Sequence, residues 1–176
     1  SETVRDLLLL SVLTANNSME IAARCQYPRK EEAYLCGMFS VFGELLAATY
    51  MPDEYATIEG RIKSSGEEQN TASLDVLGFT FHQLGRAMLK NWGMPERLTA
   101  GTQRLESVSC QPRTDEQWLS LISTFSHALT NEVFRSESGK ESSPQLKSLL
   151  SAYGVPLAIT EDNLEEVLAQ SYAQTE

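Results

Sequence analysis

The chain has 176 residues, of which 41% are hydrophobic and 22% charged, and its 24 acidic and 14 basic side chains give a formal net charge of −10. These values indicate one globular domain and exclude a disordered tail. A negative surface repels phosphate backbones, so we expect no nucleic-acid partner. The apolar run Leu7–Leu10 is too short to cross a bilayer, and Ser40 and Glu44 interrupt the run from Ala33 to Ala48, so we expect no membrane span.

Helical periodicity begins at the N-terminus and continues along almost the whole chain. The first predicted helix spans Val4 to Cys25, either as one helix or as two joined near Asn16. The second runs from Arg29 to Tyr50, and its middle is apolar on nearly every side, which is typical of a central helix. Gly37 and Gly43 within it predict close contact with a neighbouring helix.

Proline, glycine and capping residues mark the later helices. Pro52 opens a third helix, the polar segment Lys63–Ser73 is predicted as a loop or a frayed helix end, and Leu74 to Trp92 as one helix that restarts at Pro95. The remaining predicted helices cover 114–135, 145–153 and 160–172, with a Ser-rich linker at 136–144 and a break at 154–156. We therefore predict one all-α domain over 1–176, with a core at 1–136 and C-terminal helices at 144–176.

The three cysteines are Cys25, Cys36 and Cys110. Their odd number and wide spacing match neither a disulfide framework nor a C-x-x-C pair, so a reducing cytoplasm is the expected compartment. We interpret them as small buried hydrophobic residues.

Three stretches resemble the HDOD domains, which are signalling relatives of the HD-type phosphohydrolases. Segment 31–46 (EEAYLCGMFSVFGELL) resembles the central helix of that family, and segment 77–95 (LGFTFHQLGRAMLKNWGMP) resembles its glycine, tryptophan and proline signature. Leu149 to Ala169 resembles its C-terminal helix, turn and helix. The resemblance implies an HD-domain-like helical bundle with a C-terminal helical extension. The resemblance covers the C-terminal, HD-like half of the family's domain. Two interpretations of the chain therefore stay open, a fragment of a longer protein and a truncated member of the family.

The same resemblance implies where metal ligands would lie. Active HD hydrolases resemble metal-dependent phosphoesterases, in which histidines and a His-Asp pair hold the metal. Here the His-Asp pair falls on Ser40 and Val41, an upstream histidine on Asn17, a later one on Phe81, and a pair of histidines near Leu105-Glu106. Most of these residues bind metal poorly. We therefore expect no bound metal, no other cofactor and no catalytic residue.

The two histidines of the chain need a separate interpretation. His82 lies one residue beyond the family position, about 100° away around a helix, which disfavours a ligand role. His127 has no acidic residue at i+3 or i+4. We interpret both as partly buried, hydrogen-bonded histidines rather than acid–base catalysts. The sequence also has no G-x-S-x-G nucleophile elbow and no G-x-x-x-x-G-K phosphate loop.

Glu44 is the most notable acidic residue, because it lies within the apolar central helix. Either it faces the old metal cavity with a raised pKa, or, as we favour, it reaches solvent or pairs with a helix neighbour. A pocket that binds a nucleotide or phosphorylated small molecule would need cations, and Arg24, Arg86 and Lys90 are the nearby candidates.

These observations predict a non-catalytic, HDOD-like regulatory module of a bacterial signalling protein. It would act in the cytoplasm through contacts with a protein partner or an attached signalling domain. The alternatives are a degenerate pocket that binds a nucleotide or phosphorylated small molecule, and a residual phosphohydrolase. A candidate contact is the apolar stripe Leu164, Val167, Leu168 and Tyr172 of the last helix, although docking of that stripe on the protein's own core is favoured.

Overall fold

The structure is a computed structural model that describes residues 2–105, 111–135 and 144–174. Every element in these ranges is helical, which confirms the all-α fold. The helices are α1 (Glu2–Arg24), α2 (Lys30–Phe39), α3 (Phe42–Tyr50), α4 (Pro52–Ser65), α5 (Gln69–Leu77), α6 (Phe81–Asn91), α7 (Glu96–Gly101), α8 (Asp115–Arg135), α9 (Pro144–Leu149), a π-helical turn (Leu150–Gly154), α10 (Val155–Leu157) and α11 (Glu161–Ala173). The first helix is therefore continuous through Asn16.

The buried side chains form two hydrophobic clusters, and α1 contributes to both. The first cluster joins the C-terminal half of α1 to α2, α7, α8 and the C-terminal helices. The second joins the N-terminal half of α1 to α3, α4, α5 and α6. Leu164 and Val167 of α11 belong to the first cluster, in the same set as Ile21 of α1 and Phe125 of α8. The C-terminal helices thus cover the face formed by α1 and α8.

Two glycines allow the closest helix contacts, as the sequence predicts. A Cβ at Gly37 would lie 2.2 Å from Oγ of Ser18 in α1, and one at Gly43 would lie 1.6 Å from the carbonyl oxygen of Phe81 in α6. A side chain at either position would separate the helices. The prediction of close contact at these glycines is confirmed.

The helix predicted from Arg29 to Tyr50 is broken in the middle, which corrects the sequence interpretation. The break lies at Ser40 and Val41, between α2 and α3. The Ser40 hydroxyl donates to the carbonyl of Gly37 (2.6 Å), and the Val41 N–H donates to the carbonyl of Met38 (3.4 Å). These i−3 bonds tighten the last turn of α2 and end it. Segment 30–50 is long and apolar enough to cross a membrane, but the core helix of a soluble protein can have the same length and composition.

The prediction of one helix from Leu74 to Trp92 is also wrong. Gly78 adopts φ +81° and ends α5, and Thr80 begins α6 through a capping box with Gln83. The predicted loop at 63–73 is shorter than expected, because α4 extends to Ser65 and α5 begins at Gln69.

The C-terminal part differs from the sequence prediction at one point. The break expected at 154–156 is absent, because the π-helical turn leads directly into α10, and the chain turns at Ala158 with φ +54°. Most of the linker predicted at 136–144 lies outside the described residues. The predicted capping box of α8 is confirmed, since the Gln117 N–H donates to the Thr114 hydroxyl (3.2 Å).

Candidate functional site

A small polar pocket lies where the end of α2 meets α6, α8 and the segment after α7. Its enclosed volume is about 10 Å³, which is room for about one water molecule. The lining side chains are all polar or basic: Ser40, His82, Thr102, Arg104, Ser123, Thr124 and His127. This pocket is the part of the fold in which the predicted metal positions would have to meet.

Only one of the four predicted metal positions lines the pocket. Ser40 does so, because the α2–α3 break places its side chain there. Val41 and Phe81 instead belong to the second hydrophobic cluster, and the Phe81 ring packs against Tyr55 with centroids 5.7 Å apart. Phe81, the position to which the resemblance assigns a histidine, therefore does not line the pocket. His82 lies there instead, since the Thr80 cap sets the rotation of α6 about its axis.

Asn17, the fourth predicted position, links two helices beside the pocket. Its side chain is buried, and its Nδ2 donates to Oγ1 of Thr130 in α8 (2.8 Å). The Thr130 hydroxyl in turn donates to the carbonyl of Ser126 (2.6 Å). The amide thus serves to hold α1 against α8.

Contacts at both ring nitrogens of His127 define its protonation state. The guanidinium Nη2 of Arg104 lies 2.5 Å from Nδ1, so Nδ1 accepts and the proton lies on Nε2. The Asn131 amide lies 3.1 Å from Nε2, and its Oδ1 has no partner within the described part of the chain. When the Asn131 amide is flipped by 180°, its Oδ1 accepts a hydrogen bond from Nε2–H of His127, and both groups are satisfied. His127 is therefore a neutral imidazole with both nitrogens engaged.

His82 is the second imidazole of the pocket, and its surroundings keep it neutral. Burial, followed by the positive charges of Arg104 and Arg86, lowers the pKa of His82 from 6.5 to about 4. Its Nε2 is buried and makes no hydrogen bond to any described residue. A single water molecule in the pocket would satisfy this atom.

Arg104 is the residue that the sequence interpretation missed. It is exposed as a residue, yet its guanidinium group lines the pocket and contacts His127. Desolvation lowers the pKa of Arg104, and the negative charge of Glu44 opposes that effect. One indication of this role was present in the sequence: Arg104 is next to Leu105, near which the resemblance places the family's paired histidines. Leu105 lies beside the pocket, with its N–H donating to the Thr124 hydroxyl (3.1 Å), and Glu106 lies outside the described residues.

The candidate pocket residues Glu44, Arg24 and Arg86 do not line the pocket. Glu44 is 3% exposed and accepts a hydrogen bond from the Tyr55 hydroxyl in α4 (2.9 Å). Arg24 pairs with Glu166 of α11 (3.2 Å) and is not among the residues that line the pocket. Arg86 is half-buried and acts on the pocket only through its charge.

The residues at this pocket do not fit a bound metal ion. Within the described ranges, no three His, Cys, Asp or Glu side chains come together in a group that could hold one. A guanidinium occupies Nδ1 of one of the two pocket imidazoles, and a cation there repels a second cation. The remaining pocket groups are hydroxyls, and those of Ser40, Thr102 and Ser123 already donate to backbone carbonyls.

The helical bundle and its central pocket define an HD-like domain. The HDOD domain family matches residues 2–107, which is more than half of the chain. The chain therefore belongs to the HDOD domain family. The match ends before α8, so the resemblance proposed for Leu149–Ala169 lies beyond it. No curated protein matches the sequence significantly.

Three solved structures share the fold. A candidate phosphohydrolase from Shewanella amazonensis is 22% identical, with a TM-score of 0.73 over 97% of this chain and 61% of that protein. An HDOD domain protein of unknown function from Geobacter sulfurreducens is 14% identical, with a TM-score of 0.67 over 95% and 62%. A candidate signal transduction protein from Marinobacter aquaeolei is 17% identical, with a TM-score of 0.68 over 96% and 38%. The chain thus spans less than two thirds of each neighbour.

Proposed function

We propose that the chain is a non-catalytic regulatory module of a cytoplasmic signalling protein, which acts through contacts with a protein partner or an attached domain. One observation carries the proposal: every side chain that lines the central pocket, except His82, is hydrogen-bonded to another protein group. His127 is held by Arg104 and Asn131, and Ser40 returns its hydroxyl to its own helix. The one pocket imidazole without a hydrogen bond at Nε2, that of His82, has a pKa lowered to about 4 and is therefore a weak base, and the described residues offer no ligand set for a metal.

The position of the last helix bears on where a partner would bind. Leu164 and Val167 are buried in the first hydrophobic cluster, so the apolar stripe of α11 faces the protein's own core. Tyr172, at the end of the stripe, is 44% exposed. This arrangement favours internal docking of the stripe, and the partner contact is then to be sought on another surface.

Metal analysis and phosphoester hydrolysis test the non-catalytic part of the proposal. The protein, purified without chelator and dialysed, is analysed for transition metals and assayed with phosphomonoester and phosphodiester chromogenic substrates. We expect well below one metal per chain and no hydrolysis above buffer, with or without added Mn²⁺ or Zn²⁺. A stoichiometric metal that survives dialysis, or turnover that depends on His82 or His127, contradicts the proposal.

A Ser40→His variant provides a matched control, because Ser40 is the one predicted metal position that lines the pocket. The new imidazole would face a pocket that still contains the Arg104 cation. We therefore expect neither metal retention nor hydrolysis in this variant. The companion change Val41→Asp is unsuitable, since Val41 is 0% exposed and a carboxylate there would be buried in the apolar cluster.

A second function, binding of an oxyanion such as a phosphoryl group, is favoured by the charges around the pocket. Arg104 lines the pocket, and Arg86 is close enough to lower the pKa of His82. In a protein of net charge −10, a local pair of arginines is an unusual site of positive potential. The enclosed volume admits one oxygen atom at most, with the rest of the anion at the exposed side of Arg104.

Titration with inorganic phosphate tests this second function. A bound anion would stabilise the imidazolium form and raise the pKa of His82 toward 6.5, which NMR detects at the imidazole carbons. Arg104→Met should abolish the phosphate-dependent part of the change, whereas Lys90→Met, an exposed residue of α6, should leave it intact. An equal response to phosphate and to chloride contradicts a specific site.

A further inference from the structure

An apolar groove lies on the side of α6 that faces away from the polar pocket. It has a volume of about 250 Å³ and is lined by Leu46, Tyr50, Met51, Leu84, Met88 and Trp92. We call it the α3–α6 groove. The volume exceeds the roughly 150 Å³ of an engineered cavity that accommodates benzene, so an apolar side chain fits. Tyr50 is 76% exposed and Trp92 54%, so the aromatic rings at the groove face solvent.

The walls of the groove are held rigidly by the core beneath it. The backbones of Gly43 in α3 and Gly85 in α6 touch, since a Cβ at Gly85 would lie 3.0 Å from the Gly43 nitrogen. The Trp92 ring packs against Phe42 with centroids 5.1 Å apart. A preformed apolar surface with tryptophan, tyrosine and methionine has the composition of a protein-binding hot spot.

The chemistry of the groove favours a helix of a partner protein over other occupants. A small-molecule site has a few polar groups that orient the ligand, whereas all six lining side chains present mainly apolar surface. An anionic membrane would be repelled by a protein of net charge −10. Leu84, Met88 and Trp92 recur every four residues and cover about 12 Å of α6, a length that matches two turns of a partner helix.

The charges near the groove indicate which charge the polar face of the partner helix should carry. Asp53 and Glu54, both exposed, lie two and three residues after the groove residue Met51, in the first turn of α4. Lys90 is two residues from both Met88 and Trp92, which places it about 160° around α6 from either. The acidic rim and the overall charge favour a basic partner and speed its association.

We propose that the α3–α6 groove binds an amphipathic helix of a partner protein, with apolar residues at i, i+3 or i+4 and i+7 and with lysine or arginine beside them. The inference rests on the proposed regulatory function, because it names the surface through which the contact is made.

The test selects ligands from random peptides displayed on phage, with the intact chain as the immobilised target. We expect the enriched peptides to share the amphipathic pattern, to be net basic and to gain helical circular dichroism on binding. Met88→Asp and Tyr50→Ala should weaken binding at least about tenfold, which corresponds to the loss of one hot-spot contact. Val155→Asp is the matched control: this residue is 88% exposed and lies outside the groove, so its variant should bind as the wild type does.

Several outcomes would overturn the inference. These are enriched peptides that are acidic or non-helical, binding that is unchanged in a folded Tyr50→Ala variant, and a concentration-dependent dimer that Met88→Asp abolishes, which would assign the groove to a second copy of the chain. Binding to anionic vesicles through the groove would do the same. None of these outcomes alters the metal and hydrolysis assays, so the groove inference and the non-catalytic proposal fail separately.

Discussion

The two faces of α6 differ in chemistry, because one borders a polar pocket and the other borders an apolar groove. On one face, His82 lines the polar pocket, where Arg104 contacts His127 and where the charge of Arg86 lowers the pKa of His82. On the other, Met88 and its neighbours line an apolar groove that no described residue fills. The comparison teaches that the polar pocket lies inside the fold with most of its groups hydrogen-bonded, whereas the apolar groove is exposed to solvent.

The polar side is stabilised by hydrogen bonds that need no ligand. Hydroxyls of Thr14, Ser18 and Thr130 are buried and donate to carbonyls one turn earlier in their own helices, at 2.6 to 2.8 Å. Buried polar groups that are paired in this way carry little desolvation cost. These bonds satisfy three hydroxyls of α1 and α8, whereas Asn17 Oδ1 and Ser126 Oγ in the same two helices make no hydrogen bond to a described residue.

The largest expected effect concerns the contact on which both faces depend. In Gly43→Val, the new Cβ would lie 1.6 Å from the Phe81 carbonyl oxygen, and backbone cannot yield as a flexible side chain does. We expect a loss of about 3 kcal/mol or more in the free energy of unfolding, measured with urea. Gly60→Ala is the control: no atom lies within 4 Å of its Cβ, and replacing a helical glycine should add about 0.5–1 kcal/mol. Equal stability of Gly43→Val and wild type would show that α3 and α6 move apart freely.

The next effect tests whether α11 covers the core on the polar side. Leu164 is buried in the first hydrophobic cluster, so Leu164→Asp places a carboxylate in an apolar contact. We expect the melting temperature to fall by several degrees, about 2 to 4 °C for each kcal/mol in a chain of this size. The neighbouring Glu165 is exposed, and Glu165→Ala should leave the melting temperature unchanged. An unchanged melting temperature in Leu164→Asp would show that α11 does not dock on the core, and its apolar stripe would again be a candidate partner-binding surface.

The sequence predicted most of the fold because periodicity and caps act locally. The capping box at Thr114 and the proline at the start of α4 are readable from adjacent residues. The break at Ser40 was not predictable, because the apolar residues continue across it and the helix ends through two i−3 hydrogen bonds, from the Ser40 hydroxyl and from the Val41 N–H. Gly78 lies within a continuous helical pattern, so the sequence did not indicate that its left-handed φ ends α5.

The site was predictable only in part, for a geometric reason. Alignment to a family motif assigns a residue number, but a helix turns each residue by about 100°, so an error of one position changes the face. The family motif assigns its histidine to position 81, which is Phe81 here, whereas the imidazole that lines the pocket belongs to His82. Arg104 belongs to no motif, and its contact with His127 joins residues 23 positions apart. Contacts of that range follow from the packing of α7 on α8.

The third prediction uses pH to probe the polar face. The unfolded imidazole of His82 binds a proton near pH 6.5, whereas the folded one does so only near pH 4. Between these values the unfolded state binds more protons, so stability is lost as the pH falls from 6.5 to 4, in total on the order of 3 kcal/mol. His82→Gln should remove this part of the pH dependence while the carboxylates still titrate in both proteins. Parallel stability curves for the two proteins would place the His82 pKa near its ordinary value.

The smallest effect compares two tyrosines on the groove side of the molecule. Tyr55 is buried and its hydroxyl donates to the buried Glu44 carboxylate, whereas the Tyr50 ring stands at the groove and is 76% exposed. Tyr55→Phe removes a hydrogen bond to a charged acceptor and should cost about 1.5 kcal/mol of unfolding free energy, measured with urea at pH 7. Tyr50→Phe removes only a hydroxyl from a solvent-exposed ring, so we expect a change within about 0.5 kcal/mol. A comparable loss in Tyr50→Phe would mean that the groove is a structural part of the core, and the contrast between the two faces of α6 would then rest on the pocket alone.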